Sequence, residues 1–220
     1  MLNVLYEDNH LIAVNKTSGD IIQGDKTGDI PLSEYVKKYI KEKYNKPGKV
    51  FLGTIHRLDR PTSGIVLFAR TSKALVRMNE QFRSKKVKKT YWAIVKKIPI
   101  KTSGTLKNYL QKNQIKNKSF ITKDPKGKMA ILHYRVIKKL INYYLLEIKP
   151  ETGRHHQIRV QLAQIGSVIK GDLKYGSKRS NNDQSISLLA RKIDFIHPVN
   201  KESVSIIASL PNDKLWQSCI

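Results

Sequence analysis

Cysteine is almost absent from this chain: Cys219 is the single one in 220 residues, which excludes an internal disulfide and a thiolate cluster for zinc. It lies beside the C-terminus with no histidine near it in sequence, so it reads as a packing residue and not as a nucleophile. Acidic residues are scarce too, 17 against 42 lysines and arginines, for a formal charge of +25. Self-repulsion of that size points to a polyanionic partner such as RNA, DNA or an anionic membrane. The abundance of Lys, Ile and Asn is also what AT-rich coding produces, and that accounts for part of the excess. Long apolar runs are missing as well. None approaches the roughly 20 residues of a membrane helix, and the opening MLNVLYEDNHLIAVNK lacks the basic-then-apolar layout of a secretory signal. A cytoplasmic protein with no membrane partner is expected. Metal-binding spacings are missing too. There is no HExxH and no His-x-x-x-His, and the neighbours His155 and His156 would project about 100° apart on a helix.

What is present suits one folded unit. Hydrophobic residues make up 40% of the chain, enough for a buried core, and neither an internal repeat nor a long Pro/Gly/Ser-rich linker breaks it. A single catalytic domain over residues 1–220 is expected. Two short apolar runs, Val4 to Tyr6 and Leu11 to Val14, flank the turn-forming Glu7, Asp8 and Asn9. Leu32, Tyr35, Val36, Tyr39 and Ile40 fall at helical spacing, with Pro31 in the first turn. Gly64 to Arg70 reads as a buried strand, followed by a helix capped by Ser72 with Leu75, Met78 and Phe82 on one face. In KKTYWAIV, Tyr91, Ala93 and Val95 would share one strand face. Further strands are expected at Met129 to Val136, Tyr143 to Ile148, Ile186 to Phe195 and Ser203 to Ala208. Many strands and few helices, without βαβ alternation, predict an α+β fold with a mixed, mainly antiparallel sheet.

Three segments gather charge where neither a core nor a plain surface needs it; one is KKTYWAIV, in which Tyr91 also reads as a core residue. GTIHRLDRPTSG, residues 53–64, sets the lone carboxylate of Asp59 among His56, Arg57 and Arg60, with Pro61 and Gly64 constraining the loop. In an extended segment Arg57 and Asp59 point to the same side. A surface ion-pair loop and an active-site loop are both open readings of this composition. GRHHQIRVQLAQIG, residues 153–166, has a helical stripe of Ile158, Leu162 and Ile165, with Gly166 at the C-terminal end. Arg154 and Arg159 stand near the helix start, where cations oppose the helix dipole, so an anionic partner is called for: a carboxylate or RNA phosphate.

His56-Arg57-Leu58-Asp59-Arg60-Pro61-Thr62-Ser63-Gly64 resembles the HRLDxxTSG signature of the RluA family of RNA pseudouridine synthases. Further matches follow in family order: Asn15-Lys16-Thr17-Ser18-Gly19 to NKPxG, Lys89-Thr90-Tyr91 to its lysine-x-tyrosine segment, Gly153 to Arg159 to GRxHQIR, and Gly171-Asp172-Leu173-Lys174-Tyr175-Gly176 to GDxxYG. The resemblance implies an enzyme that isomerises uridine within ribosomal or transfer RNA without cofactor or metal. It implies Asp59 as the carboxylate that starts glycosidic cleavage, by attack at the ribose C1′ or by removing a ribose proton. It also implies that Arg159 pairs with Asp59, a contact worth on the order of 4 kcal/mol at 4 Å and an effective dielectric of about 20. Tyr91 would stack on the base and assist loss of the C5 proton. Arg57 would enter the RNA in place of the flipped uridine, and His56, Arg60, Arg154, Gln157 and Ile158 would form the rest of the substrate contacts.

The chain departs from the pattern at Thr17, His155 and Gln161, none of which is an implied catalytic residue. It opens on the catalytic segment and not on the small N-terminal RNA-binding domain that many members carry. Target recognition is therefore expected from its own lysines, in residues 37–49 and 85–89, with steeply salt-dependent binding. A monomer with no obligate protein partner is expected. Two readings compete: a non-catalytic RNA-binding assembly factor, and a nuclease using His56 and Asp59.

Overall fold

The computed structural model describes residues 2–24, 27–124 and 126–220. In order the elements are β1 (Val4–Glu7), β2 (Leu11–Lys16), α1 (Leu32–Lys43), β3 (Gly53–Thr54), β4 (Ser63–Ala69), α2 (Ser72–Arg83), β5 (Lys88–Val95) and β6 (Ser103–Asn113). They continue with β7 (Lys118–Thr122), β8 (Lys128–Lys139), β9 (Tyr144–Pro150), α3 (Gln157–Gln164), a 3-10 turn (Leu173–Tyr175), β10 (Leu188–Ile196), β11 (Ser203–Ile207) and α4 (Lys214–Gln217). The fold is α+β with a mixed, mostly antiparallel sheet, as expected. The chain forms two compact units: one runs up to Lys88 and adds Ala190–Ser209, the other is Lys89–Leu189 with Leu210–Ile220.

In the first unit the strand order is β1-β2-β4-β10, with β3 on β4 and β11 on β10. The β1–β2 turn forms because the Asp8 carboxylate accepts from the His10 and Leu11 amides, both at 2.7 Å, a local competition that Asp wins at turns. Ile12, Val14, Val66 and Phe68 pack against Leu32, Val36 and Ile40 of α1. Tyr35, expected in that stripe, is 51% exposed. The stripe is narrower than its periodicity suggested: Leu32, Val36 and Ile40 are buried against the sheet and Tyr39 packs at its margin. Pro31 is the residue before α1 and not its first turn. Thr71, not Ser72, caps α2, its hydroxyl accepting from the Ala74 amide at 3.1 Å.

In the second unit the order is β5-β9-β8-β6-β7. Ala93, Val95, Leu132, Leu146 and Ile148 form the core with Ile158 and Leu162 of α3. Tyr91 packs on the same cluster, so the expected face is the observed one. The helix ends where Gly166 takes φ +77, with Ser167 N–H reaching the Leu162 carbonyl, a left-handed termination that glycine makes at no steric cost. Strands β6 and β7 were not expected. Their sequence is dense in Lys and Asn, yet burial alternates along most of β6: one face is covered and the other carries the polar residues.

Candidate active site

The HRLDRPTSG segment is held by the opening motif. Lys16 is fully buried, and its ammonium donates to the carbonyls of Thr17 (2.8 Å), Arg60 (2.9 Å) and Thr62 (2.8 Å). Gly19 N–H also bonds the Arg60 carbonyl, at 3.0 Å, and Ser18 Oγ reaches Pro61 O. Asp59 is partly buried, and its carbonyl closes the turn by accepting from Thr62 N–H at 3.0 Å. A loop whose carbonyls are satisfied by one buried cation is fixed before any ligand arrives. Burial pulls the Lys16 pKa down to about 8, against the opposing pull of Asp20 and Asp59. Gly64 is obligatory at the loop exit. It has φ +112, and a Cβ there would lie 2.4 Å from the Ala190 carbonyl oxygen.

Arg57 is exposed, and Arg60 pairs with Asp29 at 2.8 Å, both side chains 48% exposed. His56, expected at the substrate, has an internal task. Its Nε2 accepts from the Leu67 amide at 3.1 Å, and its ring stacks on Phe82 of α2 with centroids 5.3 Å apart.

The second unit places Tyr91 on β5 opposite Ile148, and Arg159 in the first turn of α3. One anion near that helix start is Asp172. Arg159 Nε and Nη2 donate to its two carboxylate oxygens, each at 2.8 Å, with both residues under 5% exposed. Two of the guanidinium's five donors are thus spent on a bidentate pair. The Arg159 guanidinium also lies 5.1 Å from the Tyr175 ring centroid. Tyr175 in turn joins α3 to β7. Its hydroxyl accepts from Ser119 N–H (2.9 Å), donates to the Ser119 carbonyl (3.1 Å) and meets His156 Nδ1 (2.9 Å).

His156 begins α3 in the left-handed region, φ 54, and its ring stacks on His155 at 3.7 Å. His155 Nδ1 meets Ser119 Oγ at 2.8 Å. Desolvation, with Arg159, His155, Lys174 and Lys112 adding to it, pushes the His156 pKa down to about 2, so the ring is neutral. Lys89 is lowered as well, by burial.

Of the other expected contacts, Arg154 is exposed, with Nε anchored on the Met129 carbonyl at 3.0 Å. Gln157 and Ile158 are internal. The Gln157 amide accepts from Thr152 Oγ1 and Arg154 N–H and donates to Ile131 O, and Ile158 is core. The first unit therefore carries His56, Arg57, Asp59 and Arg60, with Lys16 tied to the Arg60 carbonyl. The second carries Tyr91, Arg154, Gln157, Ile158 and Arg159, with Arg159 paired to Asp172. Lys16, Asp172 and Tyr175 had no role assigned from sequence, although each falls in a recognised motif. Among the described residues, no group of three or more His, Cys, Asp or Glu is placed to hold a metal ion.

Residues 10–164 match the family of RNA pseudouridylate synthases. The chain is 36% identical over 215 residues to ribosomal large subunit pseudouridine synthase C of Buchnera aphidicola subsp. Baizongia pistaciae, covering 94% of this chain and 66% of that protein. It is 33% identical over 223 residues to ribosomal large subunit pseudouridine synthase D of Zymomonas mobilis, covering 96% of this chain and 70% of that one. The chain thus spans about two thirds of the length of these relatives. Human RNA pseudouridylate synthase domain containing 4 shares the fold, with a TM-score of 0.80 at 22% identity over 97% of this chain and 90% of that chain. The chain belongs to the RNA pseudouridylate synthase family.

Proposed function

We propose that this protein isomerises uridine to pseudouridine in large-subunit ribosomal RNA, and that residues 1–220 act as one catalytic domain. The observation that carries the reading is the rigid presentation of Asp59, by a loop whose carbonyls are tied to Lys16. The names of the most similar relatives support the RNA class. Asp59 starts cleavage of the glycosidic bond, either at C1′ or through a ribose proton. Arg159, whose guanidinium Asp172 holds in place, keeps Asp59 ionised and aimed. Tyr91 stacks on the uracil and assists loss of the C5 proton after the ring is rejoined through carbon. The exposed Arg57 fills the stack vacated by the flipped nucleotide, offsetting an unstacking cost of a few kcal/mol. The chemistry moves one glycosidic bond from nitrogen to carbon and needs no redox partner.

The test is pseudouridine mapping of large-subunit ribosomal RNA transcripts after incubation with wild type and Asp59→Asn. Asparagine keeps the shape and removes the charge, so conversion by wild type and a loss of at least about 10³-fold in the variant are expected. Equal RNA binding without conversion by either protein would favour the non-catalytic assembly factor, and shortened RNA would favour the nuclease. A parallel transfer RNA reaction decides between the two RNA classes.

A further inference from the structure

The sheet of the second unit has a face opposite Tyr91 and α3. Tyr91, Ile148 and Tyr134 are cross-strand neighbours on the covered side, so Met129, Ile131, Tyr109 and Phe120 belong to the other. On that side Tyr109 lies directly across from Met129 on β8 and from Thr122 on β7, and Phe120 is across from Gln111. Tyr109 is 41% exposed and Phe120 43% exposed, diagonal neighbours on the hairpin and so about 7–8 Å apart. Tyr109 is braced from below, because the chain at Gly127 passes so close that a Cβ there would lie 3.0 Å from the Tyr109 Cβ.

The charge on this face is uneven. Toward β8 and β9 the cations are matched: Arg135 and Lys149 pair with Glu147, and His133 with Glu151. The β6–β7 hairpin and its return to β8, residues 103–128, carry seven lysines and one acid; Lys112 alternates onto the side of buried Leu110 and Lys118 reaches the Tyr175 ring, and the register puts Lys107 on the open face. That acid, Asp124, has Oδ1 occupied by the Lys126 amide. Lys107 is exposed opposite the partly exposed Ile131, and Arg154 is anchored on the carbonyl of Met129 at the same strip. Rings open to solvent, set among cations without matching acids, suit an unpaired polyanion with flat bases. Aromatics on adjacent strands of an open sheet stack successive bases of single-stranded RNA.

We infer that the face carrying Tyr109 and Phe120 is a second RNA-docking surface, which takes an unpaired RNA segment by stacking bases on the two rings while Lys107 and Arg154 contact its phosphates. The inference rests on the reading of the protein as one that binds RNA. The target uridine goes to the catalytic residues. This face takes a different stretch of the same RNA, which adds affinity without touching the chemistry.

The test is binding of a fluorescent oligouridine of about 12 nucleotides to wild type and to the double variant Tyr109→Thr/Phe120→Thr, with Ile141→Thr as a control. Ile141 is 98% exposed, and threonine keeps β propensity at the two exposed strand positions. Thermal melting checks that each variant folds. Affinity is expected to fall roughly tenfold or more in the double variant and to stay at the wild-type value in the control. Photo-cross-linking with 5-iodouridine is expected to mark the tryptic peptides 108–112 and 119–123. Unchanged affinity with cross-links elsewhere would overturn the inference. So would a double variant that keeps RNA affinity and shifts from oligomer to monomer by mass, which would assign the face to protein contact. Binding needs no turnover, so a wild type that makes no pseudouridine and still cross-links through these peptides keeps this surface and loses the enzymatic reading.

Discussion

The loop around Asp59 and the helix carrying Arg159 present reactive groups by opposite means. In the loop a buried cation is spent on neutral backbone: Lys16 ties the carbonyls of Thr17, Arg60 and Thr62. In the helix the buried charges meet each other: Arg159 is clamped by Asp172, and a chain of neutral groups, Tyr175, Ser119 and His156, fixes the surroundings. A loop has many unsatisfied carbonyls and needs one donor that reaches several of them. On the helix it is the side chain that has to be aimed, and a bidentate carboxylate does that.

The largest effect should come from the helix side. Asp172→Asn removes a charge from a pair almost wholly out of water and is expected to cost about 3–5 kcal/mol of stability by urea denaturation. Pseudouridine formation should fall with it even where the variant is fully folded. Little loss of either would mean that Arg159 is held by other means. Next is Lys16→Met, which keeps the volume and strips a charged donor from three carbonyls. An expected loss of about 3 kcal/mol should raise protease cleavage within residues 57–62 in particular. Uniform destabilisation would blur the contrast between the two regions.

Gly64→Ala should follow at about 2 kcal/mol or more, from the positive φ and the approach to Ala190. The smallest effect is a pH dependence. His156 has a folded pKa near 2, below its ordinary 6.5, so between these values the unfolded chain binds the extra proton. The stability present above about pH 6.5 is therefore lost as pH falls, by about 2 kcal/mol at pH 5. His156→Asn, which tolerates the left-handed conformation, should flatten the melting temperature between about pH 5 and 7. An unchanged slope would place the acid sensitivity elsewhere.

Much of this was legible in the sequence. A continuous apolar run located β4, and short apolar runs and helical stripes located β5, β8, β9 and α1 to α3, because burial leaves its pattern in the residues; α4 was not expected. The catalytic candidates were legible through short motifs in a fixed order. What the sequence hid was the use of individual side chains. His56, Gln157 and Ile158 sit in a catalytic signature and were expected at RNA. Yet His56 braces β4 against α2, and Gln157 ties the turn before α3 to β8. A motif records that a residue is needed without saying whether the ligand or the scaffold needs it. Strands β6 and β7 escaped notice because their lysines mask a single covered face.

The sequence by itself determined the α+β class, the cationic character, the family and the identity of Asp59, Tyr91 and Arg159 as candidates. These depend on local periodicity, composition and contiguous motifs. Only the tertiary structure decided that Lys16 serves the Asp59 loop, that Asp172 clamps Arg159, and that Tyr109 and Phe120 share an open sheet face. Each of these joins residues separated along the chain, and which distant groups become neighbours is set by strand register and burial, which no local pattern encodes.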